Sequence, residues 1–409
     1  MKKILMLGGA LQQIPSIKEA KKLGYYVITC DYLPKNPGHK FADEYYNVST
    51  TDKEAVLKLA QKLQIDGIVC YASDPAAPTA AYVAEKMGLP TSPYESVMIL
   101  ANKDKFRKFL IDNNFNTPKA IGISTLEEAL SKIDTLKFPV MVKPVDSSGS
   151  KGITKVEKLE DLEQAINYAL EFSRNKRIVI EEYLEKYGYQ VAGDGFSVDG
   201  KLVFRAFAND HFDSNSPNEF VPIAASFPYN MSKEVHDKIH NEIQRVLTLL
   251  NMKTGAYNFD IRIDKDYNVY LMEIGPRNGG NMIPQVIEYS TGVNMVEYTV
   301  KAAMGEDCSD LKMKEQKGFW AYYALHSYKA GIFKELRINK EFKNNNIQEI
   351  HLNYEIGDKI PAYTGSNGTI GLMILKFESM EEMIEKIENM NKYVKVIVWG
   401  KIWKKLVDI

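Results

Sequence analysis

The chain has 409 residues, 45% hydrophobic and 26% charged, a composition that suits two or three globular domains. With 52 basic against 53 acidic residues its formal charge is -1, which excludes a global electrostatic pull toward nucleic acid or an acidic membrane. Cys30, Cys70 and Cys308 have no metal spacing and are too few for a disulfide framework, so a reducing, cytoplasmic setting is expected.

Lys3 to Leu7 reads as an apolar strand and Gly8-Gly9 as a turn. The opening MKKILMLGGAL loosely imitates a signal peptide, but it is broken by glycines and runs on into a charged helical segment. Ile14 to Leu23 is a helix stopped by Gly24, Tyr26 to Cys30 a strand closed by Asp31, and Asp52 to Leu63, Gly67 to Tyr71 and Pro78 to Met87 continue the alternation. Residues 1 to 95 therefore predict a parallel sheet with helices on both faces. Asp31 invites a nicotinamide reading, yet GGALQQ is not GxGxxG; the loop is expected to line a substrate cleft instead. Asp74 reads as either a helix cap or a ligand contact, with the cap preferred.

Residues 96 to 184 form a central region. Asn102 to Asp112 is a lysine-rich amphipathic helix with Phe106, Phe109 and Leu110 inward and its charges read as a solvated face. Phe138 to Pro144 is a buried strand that delivers Lys143, a costly residue there without an anionic partner. Asp146 to Gly152 is a small-residue loop that can aim N–H groups and hydroxyls at a phosphate, and Arg177 to Tyr183 is an apolar strand ending in two glutamates.

Residues 185 to 317 contain the strand Lys201 to Ala208, then a polar loop Asn209 to Pro217, an amphipathic helix Lys233 to Asn251, and a hairpin. In the hairpin Phe259, Ile261 and Ile263 alternate with acids and an arginine, residues 265 to 268 supply the turn, and Tyr270, Met272 and Ile274 form the second apolar set. That pairing sets Asp260 against Glu273, two carboxylates that repel unless a cation sits between them; Mg2+ suits such hard oxygen ligands. Residues 318 to 409 change to short strands with a helix at Met380 to Met390 and a strand at Val394 to Trp399; the closing IWKKLVDI reads as a docked tail.

The order of lysine-bearing helix, VKP strand, Ser/Gly loop, strand ending in Glu-Glu and DIR...MEIGPRNGG resembles the ATP-grasp superfamily, over about residues 1 to 305. Its members include D-alanine D-alanine ligase, biotin carboxylase, the purine-pathway synthetases and the L-amino acid ligases. The resemblance implies an α/β ATP-grasp fold: a Rossmann-like N-terminal domain (1 to 95), two α+β subdomains enclosing ATP (96 to 184 and 185 to 317) and a C-terminal mixed α/β lobe (318 to 409). It implies Lys143 and Lys105 on the phosphates, with Lys105 preferred to Lys103 by its distance from Pro118. Ser147, Ser148, Gly149, Ser150 and Gly152 belong to the phosphate loop, Glu181, Glu182, Tyr183 and Leu184 to the adenine hinge, and Gln190 to the ribose position.

Asp260 and Glu273 match the metal carboxylates, with Mg2+ expected and Mn2+ as a substitute. The usual EINPR reads EIGPR here, so Gly275 replaces a ligand; Asn278 or Asn281 could stand in only by bending back. Arg277, with Gly279 and Gly280 beside it, would hold the substrate carboxylate or the transferring phosphoryl, and Arg205 and His211 are further substrate candidates. The implied function is an ATP-dependent carboxylate-amine ligase working through an acyl phosphate on small-molecule substrates, with no nucleic acid or membrane partner and a homodimer among the assemblies allowed. A carboxylating synthetase using bicarbonate is the rival enzyme, since the N-terminal stretch also resembles carboxyaminoimidazole ribonucleotide synthetase. A non-catalytic nucleotide-binding protein is the rival outside catalysis.

Overall fold

The computed structural model describes residues 1–399; the expected tail at 402 to 409 lies outside the described residues. Four sheets organise the chain. The first is parallel, in the order Glu44–Tyr46, Tyr26–Cys30, Lys3–Leu7, Gly67–Cys70, and is packed by the helices Ile14–Lys22, Lys53–Leu63 and Ala77–Met87. Its strands are short apolar runs, as burial on both faces demands.

The second sheet is antiparallel, in the order Ala120–Ile123, Ile178–Glu182, Val140–Pro144, Thr154–Val156. Ile166 and Ala169 of the helix Leu162–Phe172 pack on it with Val140, Val142 and Ile180. The third sheet has eight strands in the order Val269–Gly275, Gly255–Ile263, Gln190–Val198, Lys201–Phe212, Pro222–Phe227, Phe319–Leu325, Gly371–Phe377, Ile347–Leu352. The division expected between 317 and 318 thus falls inside one hydrogen-bonded surface, because Pro222–Phe227 pairs with Phe319–Leu325. A small sheet of Lys359–Ile360, Gly331–Ile338 and Val394–Trp399 completes the C-terminal lobe.

Two expectations fail for one reason, that polar residues sit inside regular elements. The strand Lys201–Phe212 continues through Asn209, Asp210 and His211, which the sequence assigned to a loop. The helix Lys103–Asp112 buries Arg107 with Phe106 and Leu110, while Phe109 is only partly covered. Lys103, Arg107 and Leu110 share a helical face by their spacing, so the supposed solvated face carries a charge into the interior.

There Arg107, 2% exposed, donates from Nε to Glu181 at 2.6 Å and from Nη1 to the carbonyl of Met272 at 2.9 Å. Lys143 donates to the other oxygen of Glu181. Burial pushes the Glu181 carboxyl up, but Arg107 and Lys143 outweigh it and hold the group below its ordinary range. Such a depressed acid contributes its full stabilisation above the unfolded value, about pH 4.3, and loses it only as pH falls through the lower folded value. Arg107→Ala strips one cation from a buried acid and is expected to cost about 3–5 kcal/mol. Urea denaturation at neutral pH checks this as a lowered midpoint at unchanged slope.

Candidate functional site

The hairpin Gly255–Ile263 and Val269–Gly275 places Asp260 opposite Glu273, in the register that the pairing predicts. One step toward the turn the register shifts, because Ile261 pairs with Leu271 and leaves Met272 as the extra residue of a bulge. The expected core set of Tyr270, Met272 and Ile274 is thereby corrected to Val269, Leu271 and Ile274, and Met272 turns to the cavity. Ile263 pairs with Val269, so the loop spans 264–268.

A cavity of about 460 Å³ collects Lys103, Lys143, Asp260, Glu273 and Arg277. Lys103 Nζ lies 2.7 Å from Glu273 and donates to the carbonyl of Ser147 at 3.1 Å. Burial lowers the proton affinity of Lys103, but Glu273 more than offsets it and leaves it raised. Lys143 is shifted down, by burial first and then by Arg107 and Arg262, against the pull of Glu181. Lys105 stands outside this cavity, exposed on the flank with Lys108 and Asp112. The helix turns Lys103 and Arg107 inward and Lys105 away, so Lys103 takes the place that the sequence gave to Lys105.

Asp260 Oδ1 is buried and has no hydrogen-bond partner. Burial raises the Asp260 carboxyl, Arg262 opposes that, and Glu273 adds to it. Among the described residues no three His, Cys, Asp or Glu side chains converge as a metal cage. The pair with its unused oxygen is the fragment of hard-donor site that a divalent cation completes with water and phosphate oxygens. Asn278 does not complete it: its Oδ1 accepts from Thr299 Oγ1 at 2.8 Å, away from the cavity. Asn281 lines the cavity, but its Nδ2 faces the Tyr322 hydroxyl at 3.5 Å.

Gly275 has a local cause. A Cβ there would meet Asp74 Oδ1 at 3.1 Å and Arg277 Nε at 3.3 Å, crowding an ion pair in which Nε of Arg277 donates to Asp74 at 2.6 Å. Asp74 begins the short turn Asp74–Ala76 and makes this bridge from the N-terminal domain to the site, which replaces the capping role expected of it. Gly279 is held by its N–H, which donates to both oxygens of Asp194 at 3.0 and 2.8 Å, and Gly280 lines the cavity. Burial pushes the Asp194 carboxyl up to about 7.

The loop contributes Ser147, Ser148, Gly149 and Ser150 to the lining. Gly152 lies at its root with φ +74°, where a Cβ would press on Pro144 at 2.8 Å. The loop is pinned from the far end of the chain. Ser150 Oγ donates to the carbonyl of Phe220 at 2.6 Å, and Asn218 Nδ2 donates to Ser150 O at 2.9 Å and to Thr364 O at 3.0 Å.

Glu181, Glu182, Tyr183 and Leu184 fall outside the lining. Glu182 accepts the Lys137 N–H at 2.9 Å, the Tyr183 ring lies 4.4 Å from Lys155 Nζ, and Leu184 O accepts from Arg262 at 2.8 Å. Gln190 does line the cavity, with Oε1 taking Arg262 Nε at 3.0 Å. Arg205 and His211 are corrected: Arg205 faces Asp237 at 3.5 Å and His240 at 3.3 Å, and His211 is buried against Ser226 Oγ at 2.8 Å. Residue alternation along the strand sends Asp210 and Phe212 to the cavity and His211 to the other face. Arg107, Asp210 and Tyr322 are the residues that sequence reasoning missed, while it ranks Lys103 behind Lys105 and reads Asp74 first as a cap; only the helical spacing of 103, 107 and 110 carried a signal.

A family model described as the D-ala D-ala ligase C-terminus matches residues 114–298. The large chain of carbamoyl phosphate synthase from Thermoanaerobacter sp. (strain X514) is 28% identical over 316 residues, which are 73% of this chain and 28% of that protein. The chain thus spans less than a third of the curated relatives it matches. Among solved structures, L-amino acid ligase from Bacillus licheniformis superposes with a TM-score of 0.80 at 22% identity, over 98% of this chain and 99% of that one. The biotin carboxylase domain of Hydrogenobacter thermophilus 2-oxoglutarate carboxylase, in complex with MgADP, ADP and bicarbonate, gives 0.75 at 16% identity, over 97% and 91%. The sequence match through the central region and the fold shared along nearly the whole chain give this protein an ATP-grasp fold.

Proposed function

We propose that the chain is an ATP- and Mg2+-dependent carboxylate-amine ligase that forms an amide or peptide bond through an acyl phosphate and releases ADP and phosphate. The observation that carries this reading is the charge arrangement: Asp260 and Glu273 face each other in the same cavity as Lys103, Lys143 and Arg277, and Asp260 keeps an unused buried oxygen. The names of the relatives support it, because an L-amino acid ligase, a carbamoyl phosphate synthase and an MgADP-bound biotin carboxylase domain all share the fold or the sequence.

Mg2+ held by Asp260 and Glu273, with Mn2+ as a substitute, supplies charge neutralisation to the phosphates of ATP. A carboxylate is a poor electrophile, so the acid substrate's oxygen first attacks the γ-phosphorus and ADP leaves. The amine then attacks the acyl carbon, loses a proton and expels phosphate. Lys103 and Lys143 hold phosphate oxygens, and the Arg277 fork orients the acid in line with them. These fixed charges favour the transition state because they are in place before charge develops. The loop Ser147 to Gly152, held down through Ser150, keeps water from the acyl phosphate.

Incubation with Mg-ATP and pools of amino acids, hydroxy acids or bicarbonate tests the reading. Substrate-dependent ADP together with a hydroxylamine-trapped acyl group is the expected result. Turnover with bicarbonate alone would replace the ligase by the carboxylating reading, and AMP with pyrophosphate would end the acyl phosphate mechanism. Glu273→Gln is expected to abolish ADP formation while the circular dichroism spectrum stays that of the parent; retained activity removes Glu273 from the metal site. Lys103→Ala is expected to weaken binding of a non-hydrolysable ATP analogue about tenfold or more. Lys105→Ala, an exposed change, should leave it within about twofold in the same titration.

A further inference from the structure

Asp210 is carried into the cavity with no ion-pair partner among the described residues. The strand Lys201–Phe212 pairs Asp210 with Gln190 on one side and Ala225 on the other, and Ala225 pairs in turn with Tyr322. Directly paired residues share a face of the sheet, so Gln190, Asp210 and Tyr322 stand in one row of the cavity floor. Asp210 is 7% exposed, and the one hydrogen bond of its carboxylate among the described residues is a long one, 3.3 Å from Gln190 Nε2. Gln190 cannot turn its oxygen to Asp210, because that oxygen is engaged by Arg262 at 3.0 Å.

Among the described residues no lysine or arginine forms an ion pair with Asp210. Lys186 acts on it only through space, its ammonium lying 5.1 Å from the Phe212 ring centre. Burial, and then the charge of Asp260, raise the proton affinity of Asp210 well above that of an ordinary carboxylate. Asp194 provides the contrast: it is also buried, but its oxygens take the Gly279 N–H at 2.8 and 3.0 Å and Asn258 Nδ2 at 2.9 Å. One buried acid is saturated by the fold and the other is left open.

The lining around Asp210 is aromatic, with Phe212, Phe220 and Tyr322. An acid among rings is costly while empty and suits a cation when filled, since ring faces attract ammonium and repel anions. A metal ion is not the occupant that Asp210 and the hairpin pair would share, because no three acidic side chains converge among the described residues.

We propose that Asp210, with Phe212 and Tyr322 beside it, anchors the ammonium group of an amine-bearing substrate of the amino acid or alkylamine class. This rests on the ligase reading and narrows it, because bicarbonate has no cationic group for Asp210 to pair with.

The test uses the full chain saturated with Mg2+ and a non-hydrolysable ATP analogue, read by thermal shift. The probes are the twenty common amino acids, butylamine and phenethylamine, and the 2-hydroxy acids that match the amino acids. One or more amine probes are expected to raise the Tm, and the matching hydroxy acid is expected not to. Asp210→Asn is expected to weaken that amine about thirtyfold or more. The variant should keep the shift caused by the ATP analogue, and its own Tm should equal or exceed that of the parent, since it removes an uncompensated buried charge without changing shape.

Equal shifts from hydroxy acids and amino acids, or none from any amine, overturn the proposal on the parent protein alone. Loss of the nucleotide shift in Asp210→Asn moves the residue to the ribose of ATP and overturns it as well. A bound amine that never yields ADP sinks the ligase reading and leaves the anchor standing. ADP formed with bicarbonate while no amine binds sinks the anchor and leaves the ATP chemistry.

Discussion

The site depends on a guanidinium that is almost wholly removed from solvent. Arg107 sits on the helix that carries Lys103, bonds Glu181 of the small antiparallel sheet, and bonds the carbonyl of Met272 in the large one. Met272 is the residue that the bulge leaves out of the pairing, and Arg107 donates to its carbonyl. One side chain therefore fixes the distance between the strand bearing Lys143 and the strand bearing Glu273. A bidentate, always-charged donor can do this and a lysine cannot, because two separate acceptors must be met in fixed directions.

Three of the cations that line the cavity are each held by a carboxylate: Lys103 by Glu273, Lys143 by Glu181 and Arg277 by Asp74. A bare cluster of three buried cations would be prohibitively costly, and these pairings let the fold carry it. They also mean that a phosphate arriving at the site exchanges partners with carboxylates already in place. Asp74 follows the last strand of the parallel sheet, so releasing Arg277 to a ligand involves that part of the chain as well as the two sheets that flank the cavity. Gly275 follows from the same pair, since a side chain there would push against it.

Much of this was legible in sequence. The alternation of the first domain, the hairpin pairing of Asp260 with Glu273, and the strand that delivers Lys143 rest on short-range periodicity, which local sequence encodes. What failed needed a partner distant in the chain. Arg107 and Lys103 looked like solvated charges because the acids that bury them, Glu181 and Glu273, lie 74 and 170 residues on. Asp210 looked like loop because asparagine, aspartate and histidine in a row lack apolar alternation, and the strand is defined there by its neighbours' hydrogen bonds. The bulge at Met272 has no glycine to announce it, and only Arg107 explains its place.

The family match ends at residue 298, while the cavity does not. Tyr322 closes the row that begins at Gln190, and Ser366 and Asn367 enter the lining from the C-terminal lobe. A side chain at Gly149 would displace the Ser366 hydroxyl, so the loop at 147–152 is packed against the late part of the chain. The large sheet makes this possible by running without a break from Val269–Gly275 to Ile347–Leu352, which brings residues beyond 318 onto the same floor as the hairpin. Phosphate chemistry needs the same charges whatever is being joined, and of those proposed here Lys143, Asp260, Glu273 and Arg277 lie in the matched region while Lys103 precedes it. The rest of the cavity wall is built partly outside it, so under the proposed function the organic substrate is to be sought at Asp210, Tyr322, Ser366 and Asn367.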